Sequence, residues 1–364
     1  SQTMLASSCL KRRWIVLSLA GGCALALLLL QTNTFYHSLF NKSRKSNSRN
    51  ETMRIQSKHA AERIIAAKLA ANKKHSKPMG SGFHWVSSRP SDIPTTKKPG
   101  KCAGSACVVP RIVHLIWFAP DDSEFKFVYC VSILSIQRFI QPRRILFWHD
   151  EEPTGTWWKF IRMHVPNVEL LRRHPPSRVF GNKVSLPEHQ ADVARLQILL
   201  TYGGIYLDLD TIVLKSFEKL MTYDVAMGAE SPELLGNGII VARPNATFIR
   251  IWYEQYHSFD DRAYNEHSVR LPMTLAHQHP ELVHIEWEHL LRPNWFERQW
   301  LIGNGKLWDW FNNYAVHLYL KYHKLEYSPQ NIKFLNTTTG ELLRYIYYGT
   351  YEVFKIRPKK QLIT

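Results

Sequence analysis

The sequence predicts an α/β domain, a sheet covered by helices, in residues 109–364. Short apolar runs typical of buried strands alternate there with longer stretches whose apolar residues recur at helical spacing. A segment of this length is also long enough to bury one large core. We place strands at residues 112–118, 144–148, 205–210 and 238–242, and helices at residues 128–140, 188–202 and 246–256.

The helix at residues 188–202 has recognisable limits. Ser185 and Glu188 have the Ser-x-x-Glu spacing of a capping box at its start, and Gly203 supplies a stop at its end. About four turns of helix therefore lead into the next strand. Apolar residues recur between these limits at near-helical spacing, at Val193, Leu196 and Leu200.

Two carboxylates follow this helix at a spacing that suits a shared cation. Residues 202–210 read Tyr-Gly-Gly-Ile-Tyr-Leu-Asp-Leu-Asp. Because side chains alternate across a strand, we expect Tyr206, Asp208 and Asp210 to share one face, with the aliphatic residues between them facing a core. Two acids so spaced can bind one divalent cation through oxygen and leave positions open for a diphosphate. The pair alone is more typical of a solvated turn than of a metal site, so its context decides.

Three segments resemble glycosyltransferase family 32, which includes initiating α-1,6-mannosyltransferases, α-1,4-galactosyltransferases and α-1,4-N-acetylglucosaminyltransferases. The Ala-Asp-Val-Ala-Arg of residues 191–195, with the acidic segment at residues 202–210, is similar to its sugar-binding region. The Pro-Arg-Ile-Val-His-Leu-Ile-Trp-Phe of residues 110–118 resembles the first strand of its catalytic domain. The Tyr-Ala-Val-His-Leu of residues 314–318 resembles its late histidine segment.

The resemblance implies the GT-A nucleotide-sugar-binding fold, a single domain with a mixed sheet whose acids lie at strand ends. It implies that Asp208 and Asp210 are the catalytic acids, which serve the ribose, the diphosphate and a metal ion, Mn²⁺ or Mg²⁺. His317 would complete the metal site. We assign nucleotide-sugar binding to Trp117, Asp192, Arg195, Gly203, Gly204, Tyr206, Asn237 and Gly238.

Several of these assignments compete with a structural role. Trp117 sits in an apolar strand and suits core packing as well as stacking on a base. His317 is one of 17 histidines, and a histidine among apolar neighbours is more often structural than a ligand. Asp192 and Arg195 lie on neighbouring surface positions, where a structural ion pair is the alternative. The Gly-Asn-Gly at residues 236–238 fits a hairpin turn as well as a backbone approach to the sugar.

These residues together predict a metal-dependent hexosyltransferase. The resemblance implies that it would move galactose or N-acetylglucosamine from a nucleotide sugar, which we expect to be a UDP-sugar, to a hydroxyl group of a glycan or glycolipid. Family precedent implies retention of the anomeric configuration, and the sequence offers no evident nucleophile. Two alternatives stay open: a catalytically inactive, membrane-tethered sugar-binding or scaffold protein on the same fold, and a luminal metal-dependent phosphohydrolase. The phosphohydrolase would need a nucleophile or further metal ligands.

The N-terminal region predicts single-pass type II topology with a luminal catalytic domain, and the resemblance to family 32 implies the Golgi membrane. Residues 1–13 form a cytoplasmic tail that ends in Lys-Arg-Arg. Residues 14–30 carry no charge and would span about 25 Å as a helix, enough for a transmembrane signal-anchor. A cleaved secretory signal is the alternative. Four N-glycosylation sequons agree with passage through the secretory pathway, at Asn41, Asn50, Asn245 and Asn336.

Basic charge is concentrated between the anchor and the domain. The chain carries 47 basic and 30 acidic residues, a formal net charge of +17. Residues 31–108 hold 15 basic and 3 acidic residues, which predicts a basic flexible stem, with self-association through a helix-prone piece at residues 52–71 as the alternative. Residues 109–364 hold 29 basic and 27 acidic residues, and this near-neutral balance excludes a nucleic-acid-binding domain.

Cysteines give limited information. Cys102 and Cys107 could close a small disulfide loop just before the domain in an oxidising compartment, with Cys130 left free, although spacing alone does not fix the pairing. The sequence contains no Cys-x-x-Cys pair and no His-Glu-x-x-His motif, so it predicts no zinc site.

Overall fold

The computed structural model describes residues 107–118 and 124–355, which lie in one compact unit. The predicted tail, the anchor, nearly all of the stem and Cys102 lie outside the described residues. Cys107 is disulfide-bonded, and Cys130 is free and buried, an arrangement that the sequence allows but does not fix. No helix within the two described ranges is both long enough and apolar enough to cross a membrane.

A seven-stranded mixed sheet forms the centre of this unit. Including the strands outside this sheet, the described residues form β1 (Ile112–Trp117), β2 (Arg144–His149), β3 (Val168–Arg172), β4 (Arg178–Val179), β5 (Asn182–Lys183), β6 (Gly204–Leu207), β7 (Thr211–Val213), β8 (Val225–Ser231), β9 (Leu234–Ala242), β10 (His284–Glu286) and β11 (Ala315–His317). The order across the sheet is β10-β8-β9-β6-β1-β2-β3, and β9 runs antiparallel to both of its neighbours. Two-stranded ribbons pair β4 with β5 and β7 with β11.

Helices cover both faces of the sheet, which confirms the predicted α/β class. They are α1 (Phe127–Phe139), α2 (Thr156–His164), α3 (Pro187–Tyr202), α4 (Thr247–Glu254), α5 (Leu271–Gln278), α6 (Gln299–Ile302), α7 (Pro329–Ile332) and α8 (Thr338–Tyr348). One core packs α1 against the face of β6 that carries Ile205 and Leu207. A second core packs α3 and α4 against the opposite face, which carries Tyr206. The predicted alternation of side chains therefore holds as far as Leu207.

The start of α3 differs from the predicted capping box. Leu186 is the N-cap, no side chain caps the helix, and Pro187 occupies its first turn. Proline favours the first helical position because it lacks the amide hydrogen that would go unpaired there, and it moves Glu188 out of the register that a capping box needs. Glu188 instead pairs with Lys321 at 2.5 Å. The predicted stop is confirmed, since Gly203 is the C-cap with φ of 59°.

His114 in β1 shapes the turn through which α3 enters β6. Its Nε2 donates a hydrogen bond to the Gly203 carbonyl oxygen at 2.7 Å, and its Nδ1 accepts one from Nε1 of Trp148 at 3.2 Å. Gly204 has φ of 106°, and a Cβ there would lie 2.6 Å from the carbonyl oxygen of Ile112 and 3.0 Å from Nε2 of His114. Only glycine fits such a position, so this turn fixes where β6 begins.

The buried His114 is expected to destabilise the domain in acid. Burial lowers the pKa of this imidazole from 6.5 to about 4, so the unfolded chain binds a proton between these values that the folded chain does not. From this group alone, the free energy of unfolding should be greatest above pH 6.5 and fall by about 3 kcal/mol toward pH 4.

Urea unfolding across this pH range tests the expectation by comparing the wild type with His114→Gln. His174→Gln, at an exposed histidine, is the control and should follow the wild type. The same pH dependence in the wild type and His114→Gln would contradict the assignment.

Candidate active site

The two acids lie in the turn between β6 and β7. β6 ends at Leu207, and the Thr211 amide donates to the Asp208 carbonyl oxygen at 3.0 Å to close the turn. The strand predicted at residues 205–210 is therefore too long by three residues. The Asp208 amide makes the last hydrogen bond between this segment and β9, to the Gly238 carbonyl oxygen at 2.8 Å. The chain then turns away, and the pairing ends.

His317 reaches the acids through the β7–β11 ribbon. His317 pairs with Thr211, and the next amide, of Leu318, donates to the Asp210 carbonyl oxygen at 2.9 Å. Nε2 of His317 lies 2.9 Å from Asp210 Oδ1 and 3.6 Å from Asp208 Oδ2. One ligand atom from each of these three side chains lies within 4.8 Å of the others. The structure thus brings the three predicted metal ligands together.

This set of ligand atoms fits a divalent cation such as Mn²⁺. Carboxylate oxygens suit hard cations, and an imidazole nitrogen extends the set toward transition metals. Each acid has one oxygen occupied by the protein: Asp208 Oδ1 accepts from the Tyr206 hydroxyl at 2.6 Å, and Asp210 Oδ2 accepts from the Leu320 amide at 2.9 Å. The other oxygen of each acid faces His317, so the protein orients both acids toward one point.

Tyr319 holds a strained backbone beside this cluster. Its φ of 53° lies in the left-handed region, which costs a non-glycine residue about 1–2 kcal/mol. The turn it makes brings the following amide, of Leu320, to Asp210, and its ring centroid lies 4.2 Å from that of His317. Strain of this kind concentrates at functional sites, where the surrounding structure maintains it.

Pairing with the acids decides the charge of His317. Burial alone would lower the pKa of its imidazole, but Asp210 and Asp208 outweigh burial and raise it to about 9. Burial also disfavours the charged form of Asp210 and so raises its pKa, but His317 and the Leu320 amide outweigh burial and bring this pKa below its usual value. Without a bound cation, an imidazolium therefore neutralises part of the acidic charge at neutral pH.

Binding of Mn²⁺ is expected to displace a proton from His317. A ligating imidazole must be neutral, whereas the acids keep His317 protonated up to about pH 9. Near neutral pH, about one proton should leave for each ion bound, and the apparent affinity should rise by up to about tenfold for each pH unit.

Titration calorimetry in two buffers of different ionisation enthalpy counts these protons. His317→Asn should bind Mn²⁺ more weakly and release none, while His277→Asn, at an exposed histidine, should match the wild type. Tight binding of Mn²⁺ by the wild type with no proton release would contradict the assignment of His317 as a ligand.

Arg195 joins α3, β6 and β9 in a network behind Asp208. Its guanidinium lies 3.2 Å from Asp192 Oδ1 and 3.5 Å from Asp208 Oδ1, and it donates to the Asn237 carbonyl oxygen at 2.7 Å. The side-chain amide of Asn237 donates to Asp192 Oδ1 at 2.7 Å, and the guanidinium lies 4.5 Å from the centre of the Tyr206 ring. Four predicted binding residues therefore form one network that contacts the acid site.

The pair of Asp192 and Arg195 is buried, with 6% and 5% of each residue exposed, so the expected surface position is wrong. The reason is that β9 and the turn after β6 cover this face of α3, which spacing along the helix does not reveal. Burial raises the pKa of Asp192, an effect that Arg195 and the Asn237 amide oppose. The buried ion pair also contacts Asp208 through the shared guanidinium, and binding of the donor by these two residues stays a prediction.

The glycines at residues 236–238 lie inside β9, so their interpretation as a hairpin turn is wrong. The turn between β8 and β9 falls at residues 232–233. A Cβ at Gly238 would lie 2.9 Å from Asp208 Oδ2 and 3.4 Å from His317 Cε1. Glycine in a strand often marks such a close approach. The absence of a side chain at residue 238 is what leaves room for the acid.

The remaining predicted binding residues have structural contacts. Trp117, at the end of β1, is 8% exposed, and its ring centroid lies 5.5 Å from Phe125 and 5.9 Å from Tyr129 in the core. Gly203 and Gly204 lie at the opposite end of β6 from the acids, in the turn that His114 holds. Their described contacts support packing and turn formation, and a role toward a nucleotide stays a prediction.

Two residues near the site escaped the sequence analysis. Tyr319 follows the predicted histidine segment, and its hydroxyl donates to Glu230 Oε1 at 3.5 Å. Glu230 lies near the carboxyl end of β8, which is parallel to β6, so it shares the sheet edge of Asp208. The sequence does show that Glu230 follows an apolar run typical of a strand. It does not show the order of the strands, so it could not predict that Glu230 lies near Asp208 and Asp210.

Comparison with known proteins adds to this geometry. Residues 129–226 match the family described as a glycosyltransferase sugar-binding region containing a DXD motif. Glucan organizing enzyme 1 of Cryptococcus neoformans var. grubii is 33% identical over 213 residues, 54% of this chain and 57% of that protein. Glycosyltransferase afumC of Aspergillus fumigatus is 32% identical over 134 residues, 32% of each chain. The chain thus spans just over half of the first relative and about a third of the second.

Among solved structures, the chain is similar to the PaToxG glycosyltransferase, with a TM-score of 0.36 and 17% identity over 47% of this chain and 70% of that one. The matched family region includes the two acids and the buried ion pair of α3. It leaves out four of the residues assigned from the sequence, namely Trp117, Asn237, Gly238 and His317.

Proposed function

We propose that this chain, which belongs through residues 129–226 to the family of glycosyltransferase sugar-binding regions containing a DXD motif, transfers a hexose from a nucleotide sugar to a hydroxyl group of a glycan or glycolipid. The observation that carries the proposal is the convergence of Asp208, Asp210 and His317 at one edge of the sheet. Convergence of two acids and an imidazole from distant parts of the chain is not expected of a solvated surface turn.

The acids would hold the diphosphate end of the donor through a divalent cation. A bound Mn²⁺ or Mg²⁺ would supply positive charge to the departing nucleoside diphosphate. Asp208 and Asp210 would ligate it through the oxygens that face His317. The Tyr206 hydroxyl and the Leu320 amide hold these acids in place before substrate arrives, so little reorganisation is needed on binding.

The finer assignments follow the resemblance to family 32. We propose a GT-A fold, a UDP-sugar donor carrying galactose or N-acetylglucosamine, and retention of the anomeric configuration. We also propose a type II enzyme of the Golgi membrane, anchored by residues 14–30, with the domain in the lumen. The uncharged run after a basic tail and the four sequons support this location.

The test is a donor and acceptor panel. The full chain, made in a secretory host and purified in detergent, is incubated with Mn²⁺, UDP- and GDP-sugars and simple glycosides, and the acceptors are examined by mass spectrometry. Glycosylated acceptor from one donor identifies both the activity and the sugar. Donor binding without turnover would favour the scaffold alternative, and release of inorganic phosphate without glycosylation would favour the phosphohydrolase.

A further inference from the structure

Glu230 lies on the same side of β9 as the acid site. A Cβ at Gly236 would lie 3.2 Å from Glu230 Oε1, and a Cβ at Gly238 would lie 2.9 Å from Asp208 Oδ2. Positions two residues apart along a strand are about 7 Å apart. Glu230 and Asp208 therefore place their carboxylates beside two same-face positions of β9 that are about 7 Å apart, a separation on the scale of one sugar ring.

The carboxylate of Glu230 has unused hydrogen-bonding capacity. Among the described residues, its side chain has one hydrogen bond, a long one of 3.5 Å from the Tyr319 hydroxyl, and no salt bridge within 4.0 Å. A carboxylate can accept about four hydrogen bonds. Glu230 is half-buried, and burial raises the pKa of its carboxyl group, an effect that His317 and Tyr319 oppose. Hydroxyl groups of a ligand would occupy the acceptor positions that the protein leaves open.

A purely structural role does not explain this side chain. The backbone at residue 230 is already fixed, because Nδ2 of Asn294 donates to its carbonyl oxygen at 2.9 Å. The space over the neighbouring Gly236 is filled by Leu291, whose Cδ2 lies 2.1 Å from where a Cβ would be. The strand end is thus held by Asn294 and packed by Leu291, and neither contact involves the Glu230 carboxylate.

We propose that the Glu230 carboxylate binds the transferred hexose by accepting hydrogen bonds from its hydroxyl groups, while Asp208 and Asp210 serve the diphosphate. This assignment rests on the proposed function, since it needs a nucleotide sugar at the acid site. Glu230 then distinguishes a nucleotide sugar from the free nucleotide, because only the former carries hydroxyls that reach it.

The test compares the affinity for UDP with the affinity for the UDP-sugar that the wild type uses, in the presence of Mn²⁺. Glu230→Ala and Glu230→Gln should weaken binding of the UDP-sugar by about 10- to 100-fold, as expected for lost hydrogen bonds to a charged group. Binding of UDP should change less than about twofold, because the acid site is intact. Glu233→Gln, at an exposed glutamate in the adjoining turn, is the matched control and should change neither affinity.

A deoxy analogue of the donor sharpens the result. Monodeoxy forms of the UDP-sugar are tested in turn. The wild type should bind one of them as weakly as Glu230→Ala binds the complete UDP-sugar, and Glu230→Ala should bind that analogue no more weakly than the complete UDP-sugar. Thermal unfolding checks that Glu230→Gln, which keeps the shape of the side chain, is folded.

Two outcomes would overturn the assignment, and they are distinguishable. Equal loss of UDP and UDP-sugar affinity in a folded Glu230→Gln would show that Glu230 supports the acid site and does not bind the sugar. If the wild type binds neither UDP nor any nucleotide sugar with Mn²⁺, the proposed function fails and this assignment fails with it.

Discussion

Asp208→Asn is expected to lower metal-dependent transfer by about 1,000-fold or more, the largest loss of activity that we expect from a single substitution. Asparagine keeps the size of the side chain and can still accept the Tyr206 hydrogen bond at 2.6 Å. It removes the negative charge that faces His317 and the predicted cation. The fall should therefore appear in kcat/KM, with the circular dichroism spectrum unchanged.

The matched control for this variant is Asp224→Asn. Asp224 is exposed, precedes β8 at the edge of the sheet opposite Glu230, and pairs with Arg243 at 2.6 Å. Its substitution should leave kcat/KM within about twofold, as is usual for a surface ion pair. Transfer by Asp208→Asn at more than a tenth of the wild-type rate would contradict the role of Asp208.

Arg195→Met is expected to give the largest loss of stability, about 3–5 kcal/mol in the free energy of unfolding. The substitution leaves the buried Asp192 without its counter-ion and removes the contact to Asp208 and the hydrogen bond to the Asn237 carbonyl oxygen. Methionine roughly fills the space of the aliphatic part of arginine, so the loss reports the charge. Urea unfolding measures it.

A double substitution tests whether the network acts as a unit. Asp192→Asn removes the charge that Arg195→Met strands, so the double variant should be clearly more stable than the sum of the two single losses predicts. Arg250→Met, at an exposed position on α4, is the control and should cost less than about 0.5 kcal/mol. Additive losses from the two buried substitutions would contradict the coupling.

The local part of the site could be predicted from the sequence because its signals are local. Gly203 and Gly204 mark a turn that only glycine can make, and the acids follow at a fixed distance along the chain. Tyr206 and Asp208 are likewise neighbours along the chain, and the structure joins them by a hydrogen bond of 2.6 Å.

The rest of the site depends on contacts between distant segments. His317 meets Asp210 only because β11 pairs with β7 in one register, and nothing in residues 314–318 specifies that register. Glu230 gains its position from the order of the strands. The burial of Arg195 depends on what packs over α3, and the Gly-Asn-Gly of β9 has the composition of a turn although it serves a close approach to Asp208.

The most direct test of this account is the release of nucleoside diphosphate from the preferred nucleotide sugar by the purified full chain. We predict release that requires Mn²⁺ or Mg²⁺ and an acceptor, stops on addition of a chelator, resumes when metal is restored, and is nearly absent in Asp208→Asn. Release that continues undiminished with chelator present, or in Asp208→Asn, would contradict the assignment of the acids at this edge of the sheet as the metal-dependent transfer site.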